Sequence, residues 1–189
     1  MNPRDWYKCC GDSIRAEFGA DSELFIDLLA ATSPRKQVAA NWRLAMRIYH
    51  VWKTGIWRGD WKDDGFGNLL KGTLPAHRPN VLRALKREPL SGNKVRAFAA
   101  NLKGNLDEVT LDVWMCRYFN HEGSLTDKKY AELSARIITE ARQQGLKPAE
   151  LQAIIWWKMI RKSGKQPQSY ISVKDRGQLF FDWYLDYEN

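Results

Sequence analysis

Long apolar runs, a leader-like start and paired cysteines are all missing from this sequence of 189 residues. No apolar run approaches the roughly 18 residues that a helix needs to cross a bilayer, so we expect no membrane partner. The first residues, MNPRDWYKCCGDS, lack the apolar core of a signal peptide, and we therefore expect a cytoplasmic protein. The three cysteines show no pairing pattern, which fits a reducing compartment.

Cysteine and histidine are also too few for the common metal sites. Three cysteines cannot supply the four thiolates of an iron–sulfur cluster. Cys9 and Cys10 are adjacent, but no second pair of cysteines or histidines follows at ligand spacing. His50, His77 and His121 show no partner spacing, so we assign them no role. We therefore expect neither a metal ion nor an iron–sulfur cluster.

Alternation of apolar and polar residues with period two is missing as well, whereas helical periodicity recurs along the chain. In segment 22–32, Leu24, Phe25 and Leu28 share one helical face. Nine tryptophans and 44% hydrophobic residues indicate a folded core. The sequence predicts an all-α protein, with a loop at 55–73. Further helices are predicted at 35–53, 78–87, 94–102, 106–119, 126–145, 147–164 and in the tail at 175–189.

Positive charge is concentrated in one part of the chain, whose net charge is +8. Residues 61–104 carry nine lysines and arginines against three acidic residues. The flanking parts, 1–60 and 105–189, carry nine against seven and twelve against twelve. A localised basic patch is typical of a protein that binds the phosphate backbone of nucleic acid. A solvated surface that keeps the protein in solution is the alternative that charge alone leaves open.

A tight turn lies inside this basic segment, at Ser91-Gly92-Asn93 between two predicted helices. Gly92 lets the backbone approach a ligand closely, because it has no Cβ. The N–H groups and the dipole at the start of the following helix favour a phosphate. Lys94 stands directly behind the turn, and Asp112 follows eighteen positions later inside an apolar run.

The stretch PLSGNKVRAFAANLKGNLDEVTLDVWMCRYF resembles the signature of the helix–hairpin–helix DNA glycosylases, the superfamily of endonuclease III and 8-oxoguanine DNA glycosylase. That signature is a proline, a Gly-x-Lys hairpin, an apolar helix and an apolar-Asp-x-His-apolar-x-Arg segment. Leu90 stands at the hairpin's first glycine, and Trp114 replaces the histidine and removes one expected phosphate contact. The likeness covers roughly residues 22–160. The residues that fall into register are Pro89, Gly92, Lys94, Asp112, Met115 and Arg117.

The resemblance implies that Lys94 and Asp112 are catalytic. Breaking a glycosidic bond in DNA builds positive charge on the sugar, which a nearby carboxylate stabilises. An unprotonated amine can attack C1′, form a Schiff base and then eliminate the 3′ phosphate, and burial lowers the pKa of a lysine. Taken singly, Asp112 could instead be the N-cap of a helix, and Lys94 a phosphate contact.

The resemblance further implies a base pocket and a DNA-binding surface. An extruded base would lie between Phe98 and Trp156, while Gln152 binds its Watson–Crick edge. Core packing is the alternative for the two aromatic residues. The residues expected to contact DNA are Ser91, Gly92, Asn93, Arg96, Arg35 and Lys36. For the arginines and the lysine among them, a solvated surface position is the alternative.

The sequence therefore predicts a two-lobed, all-α glycosylase fold with a helix–hairpin–helix motif, one lobe at 24–104 and the other at 1–23 plus 105–189. We expect a monomer of bacterial or phage type that removes an 8-oxoguanine-type purine from double-stranded DNA and then acts as an AP lyase. The resemblance leaves room for a monovalent cation at the hairpin, and otherwise we expect no cofactor. Two alternatives stay open: a protein of the glycosylase fold that only binds DNA, and a small helical nucleic-acid-binding adaptor with a coincidental Gly-x-Lys turn.

Overall fold

A computed structural model describes residues 1–55 and 69–174 of the chain. Helices and the turns between them make up this part, and no strand occurs within these two ranges, so the predicted all-α class is confirmed for them. Most of the predicted loop at 55–73 and the whole predicted tail helix at 175–189 lie outside the described residues.

Several helix ends follow signals that are visible in the sequence. Gly55, at φ 64, ends the helix Val38–Thr54 in the left-handed conformation that glycine favours. Before the helix Asp127–Gln143, Thr126 Oγ1 accepts the N–H of Lys129 at 3.2 Å, and Pro148 is the first residue of the helix that follows. In the described residues, none of the helices is both long and apolar enough to span a bilayer. The α-helices described are α1 Trp6–Phe18, α2 Ser22–Thr32, α3 Val38–Thr54, α4 Arg78–Leu85, α5 Asn93–Leu102, α6 Val113–Tyr118, α7 Asp127–Gln143, α8 Pro148–Lys162 and α9 Tyr170–Lys174.

The predicted helix at 106–119 is wrong in its first half, because the backbone is not helical before α6. The hydroxyl of Tyr130 in α7 donates to the carbonyl of Val109 at 2.6 Å and accepts the N–H of Leu111 at 3.2 Å. These hydrogen bonds hold the backbone at 109–111 in a non-helical conformation. Asp112, extended at φ −100 and ψ −173, then begins α6.

Helix α1 is not among the predicted helices. Its buried side chains Trp6, Cys10 and Ile14 follow the i, i+4, i+8 spacing of one helical face. Gly11 in the middle of α1 weakens the helical pattern in the sequence, since glycine is a poor helix former. The helix packs against α2, α5 and α8 and so becomes part of the main core.

Buried apolar side chains form two clusters. The larger cluster unites α1 to α5 with residues of α8 and with Tyr170 of α9. The smaller cluster combines the segment 109–115 with α7 and α8, and Trp156 of α8 packs against both clusters. The turn after α4 therefore belongs to one cluster, and the segment that carries Asp112 belongs to the other. The division into lobes at the predicted boundaries stays a prediction.

Candidate active site

A cavity of about 90 Å³ lies between the larger cluster and the segment 109–115. By the same measure a single water needs about 10–15 Å³, so the cavity can admit a group larger than one water. The lining residues that were predicted from the sequence are Lys36, Lys94, Phe98, Asp112, Gln152 and Trp156. Lining residues that were not predicted include Trp6, Tyr7, Ser33, Asn41, Thr110 and Tyr170.

Lys94 enters the cavity from the first turn of α5. Its side chain is half-buried, and its Nζ donates a hydrogen bond to Ser33 Oγ at 3.2 Å. Burial lowers the pKa of Lys94 from its ordinary value, and the negative charge of Asp112 opposes that shift. Lys94 forms no ion pair within the described residues. A larger fraction of this amine is therefore unprotonated at a given pH than in an ordinary lysine.

Asp112 reaches the cavity from the N-terminus of α6. Its Oδ1 accepts the N–H groups of Trp114 at 2.9 Å and Met115 at 3.0 Å, so the N-cap interpretation is confirmed. Its Oδ2 accepts the indole N–H of Trp156 at 3.0 Å. Burial raises the pKa of the Asp112 carboxyl, while the Met115 N–H and the charge of Lys94 oppose the rise. The cap therefore uses one carboxylate oxygen and leaves the other oxygen beside a cavity-lining ring.

Aromatic rings line the cavity on several sides. Phe98 belongs to the larger cluster, and Trp156 packs against both, so each of them is also a core residue. The ring of Trp6 lies 5.7 Å from Trp156 and 6.3 Å from Phe98, measured between centroids. Trp6 thus contacts both rings that were expected to clamp a base. The only signal for it in the sequence is the adjacent aromatic pair Trp6-Tyr7 near the start of the chain.

Gln152 is buried, with 2% of its surface exposed, and it has a partner within the protein. Its Oε1 accepts the hydroxyl proton of Tyr7 at 2.7 Å. These two residues are 145 positions apart, so no local pattern in the sequence could have paired them.

The turn at Ser91 and Gly92 is exposed on the surface, at the start of α5. Gly92 adopts φ 85, which favours glycine, and no side chain in the described ranges caps α5. The turn is held to α4 by Asn80, whose Oδ1 accepts the N–H of Ser91 at 2.8 Å. Leu90, which replaces a glycine of the family pattern, is buried in the larger cluster. The first N–H groups of α5 are thus open to a ligand.

The remaining residues expected to bind DNA occupy two places. Asn93 Nδ2 donates to Asp127 Oδ1 at 2.9 Å, and Asn93 Oδ1 accepts from the exposed Arg96 at 2.9 Å, beside the turn. Arg35 is exposed with φ 59, whereas its neighbour Lys36 lines the cavity. The structure thus brings Asn93 and Arg96 to the turn, and Lys36 to the cavity.

Metal-binding residues do not gather in the part of the chain that the structure describes. No group of three or more histidine, cysteine, aspartate or glutamate side chains there could hold a metal ion. Cys9, Cys10 and Cys116 are free thiols.

Comparison with the curated proteins gives no match, and comparison with the solved structures gives none either. One family model matches residues 2–163, which include every cavity residue named above except Tyr170. The family is described as a family of unknown function, so the resemblance to the helix–hairpin–helix glycosylases stays a prediction. The chain belongs to this family, DUF7178.

Proposed function

We propose that the protein is a base-excision DNA glycosylase with AP-lyase activity, built on the two-lobed helix–hairpin–helix glycosylase fold. One observation carries the proposal: Lys94 and Asp112 face one cavity, both desolvated, and neither is bound in an ion pair within the described residues. An amine and a carboxylate that are both desolvated, face one cavity and are not paired are typical of functional sites.

Lys94 is the nucleophile in this proposal. Its unprotonated amine attacks C1′ of the damaged nucleotide, the bond from C1′ to the base breaks, and the base leaves with the proton that the amine releases. The C1′–O4′ bond then opens, O4′ takes up a proton, and a Schiff base joins Lys94 to C1′. Loss of a proton from C2′ and cleavage of the C3′–O bond release the 3′ phosphate. The lowered pKa of Lys94 supports the first step, which needs the free amine.

Asp112 stabilises the positive charge that develops on the sugar as the base departs. Its position supports this role, because Oδ1 is fixed by two backbone N–H groups and the carboxylate cannot easily turn away. Its raised pKa sets a limit, since the carboxyl must be ionised to act.

The substrate we propose is an 8-oxoguanine-type purine in double-stranded DNA, bound by a monomer. A base must leave the helical stack to reach a buried amine, and the rings of Phe98, Trp156 and Trp6 offer stacking surfaces. The uncapped N-terminus of α5 and the exposed Arg96 supply contacts for phosphates on either side of the lesion.

Borohydride reduction tests the proposal, because it converts a Schiff base into a stable protein–DNA adduct. We expect an adduct with duplexes that contain a suitable oxidised purine or an abasic site. Lys94→Gln should abolish it while duplex binding persists, since glutamine keeps most of the length and loses the amine. Lys36→Gln is the matched control, because Lys36 lines the same cavity and its amine should not be required for the adduct even if DNA binding weakens.

Three outcomes decide between the proposal and its alternatives. An adduct that persists in Lys94→Gln and is lost in Lys36→Gln would identify Lys36 as the nucleophile. Duplex binding without an adduct or base release on any lesion would leave a DNA-binding protein without turnover. No binding of DNA even at low salt would exclude the DNA-binding alternatives as well.

A further inference from the structure

Gln152 is held in one orientation by Tyr7. The hydroxyl oxygen of Tyr7 lies 2.7 Å from Gln152 Oε1, a separation typical of an O–H···O bond and short for an N–H···O bond. Gln152 Oε1 carries no proton, so the phenolic proton of Tyr7 lies in this hydrogen bond. Burial raises the pKa of Tyr7, so the phenol keeps that proton at neutral pH.

The amide nitrogen of Gln152 is consequently available to donate to a ligand in the cavity. Gln152 is buried and lines the cavity, and no acceptor for its Nε2 is found within the described residues. A primary amide nitrogen carries two N–H donors and accepts nothing.

A second unused donor lines the same cavity at Tyr170 of α9. Its hydroxyl oxygen accepts the Nδ2–H of Asn41 at 2.7 Å, which leaves the phenolic proton without an acceptor in the described residues. Asn41 turns its Nδ2 and not its Oδ1 to Tyr170, because Oδ1 lies at the Thr32 hydroxyl at 2.6 Å and Nδ2 also donates to Leu29. Gln152 and Tyr170 thus each bring to this cavity an N–H or O–H group without an acceptor in the described residues.

We infer that the cavity recognises a heterocycle that turns carbonyl oxygens towards Gln152, and that Tyr7 is the positioning residue that sets this preference. The inference rests on the proposed function in one respect, since it takes the extruded base to be the ligand. A ring that presents an amino group to the Gln152 amide nitrogen, in place of a carbonyl oxygen, would set donor against donor. Such an edge leaves buried polar groups on both sides unpaired.

Free purines test this without DNA and without catalysis. Xanthine and diaminopurine have the same ring, with two carbonyl groups in one and two amino groups in the other. Calorimetry at mildly acidic pH, where both are uncharged, should show xanthine bound about tenfold more tightly or better, as expected when one buried hydrogen bond is replaced by a clash. Equal affinities, tighter binding of diaminopurine, or no binding of either would overturn the inference.

The ratio of the two affinities isolates the role of Tyr7. In Tyr7→Phe the amide of Gln152 loses its fixed partner and can turn over, so the ratio should fall towards one. Gln152→Met, which removes the donors at similar size, should do the same. A loosened pocket would instead weaken both purines alike and leave the ratio unchanged, and that result would reject Tyr7 as the positioning residue.

Tyr49→Phe is the matched control, because it removes a hydroxyl that binds Asp21 and does not line the cavity. Its ratio should equal that of the wild type. The purine experiment and the borohydride experiment fail independently, since the first needs no Lys94 and the second needs no base discrimination. Purine selectivity without an adduct would therefore refute the proposed AP-lyase activity, and the inferred preference for carbonyl groups would stand.

Discussion

At the scale of single residues, Asp112 serves the fold and the site at once. Its Oδ1 caps α6, while its Oδ2 accepts the indole N–H of Trp156 beside the cavity. The carboxylate is buried at an energetic cost that shows in its raised pKa. The cap needs only an oxygen acceptor, whereas the proposed chemistry needs the charge.

Replacement of Asp112 by asparagine and by alanine separates these roles. Asp112→Asn keeps an oxygen for the cap, so its free energy of unfolding should stay within about 1 kcal/mol of the wild type. Asp112→Ala loses the cap and should cost about 0.5–2 kcal/mol. Both variants should lose base removal by orders of magnitude. Urea unfolding measures the first effect, and equal destabilisation of both variants would show that the fold needs the charge.

The stability of the protein should depend on pH through Lys94. Burial lowers the pKa of Lys94 below 10.5, so the folded chain binds this proton less tightly than the unfolded chain does. Between the folded pKa and 10.5 the unfolded state holds more protons, and stability therefore rises with pH. The difference in unfolding free energy between wild type and Lys94→Gln should shift in favour of the wild type over that range. A difference that is constant with pH would contradict the lowered pKa.

At the scale of helices, the contact between α1 and α5 sets the width of the site. Helix α1 carries Trp6 and Tyr7, and α5 carries Lys94 and Phe98. The two helices approach so closely at Gly11 that a Cβ there would lie 2.3 Å from the carbonyl oxygen of a residue at the end of α5. Glycine at this position therefore allows the packing that brings both halves of the site together.

Gly11→Ala should push α1 away from α5, even though alanine is the better helix former. Overpacking of this kind costs about 1–3 kcal/mol, more than the gain in helix propensity. We expect lower stability in urea unfolding and weaker binding of purine ligands. Ala16→Ser, at an exposed position of the same helix, is the control and should change stability by no more than about 0.5 kcal/mol. A stabilised Gly11→Ala would show that the helices do not touch there.

At the scale of the whole molecule, positive charge is concentrated in a segment that also contributes to the cavity. Residues 69–104, the described part of this segment, hold eight lysines and arginines against one acidic residue, and they include α4, the turn and α5. Arg78, Arg83 and Arg96 are exposed on it. A duplex that contacts Arg96 would lie beside the turn that precedes Lys94, because Arg96 donates to Asn93 in that turn.

Binding of duplex DNA should weaken steeply with salt, because phosphate contacts release counterions. Arg96→Ala should lower affinity for all sequences alike and reduce the slope of log K against log salt by about one. Arg142→Ala, in the last turn of α7 and outside the basic segment, should leave the slope unchanged. Titrations of fluorescent duplexes at several salt concentrations measure both, and affinity without salt dependence would contradict a phosphate-binding face.

Part of the site could be read from the sequence, because its residues belong to one contiguous stretch and one later helix. Lys94, Asp112 and Gln152 were expected from a motif, and the structure brings them to one cavity. Trp6 and Tyr7 were not predicted at the site. They reach it from α1, and Gly11 weakens the helical pattern of α1 in the sequence.

The sequence by itself determined the all-α class and several helix ends, because apolar spacing, glycine stops and N-terminal caps act within a few residues of the chain. Only the tertiary structure decided that 106–112 is not helical, since Tyr130 supplies the hydrogen bonds that hold this backbone. It also decided which way the amide of Gln152 faces, through a bond to Tyr7 across 145 positions. Contacts of that range leave no periodic trace in a sequence, because neither partner constrains the residues beside the other.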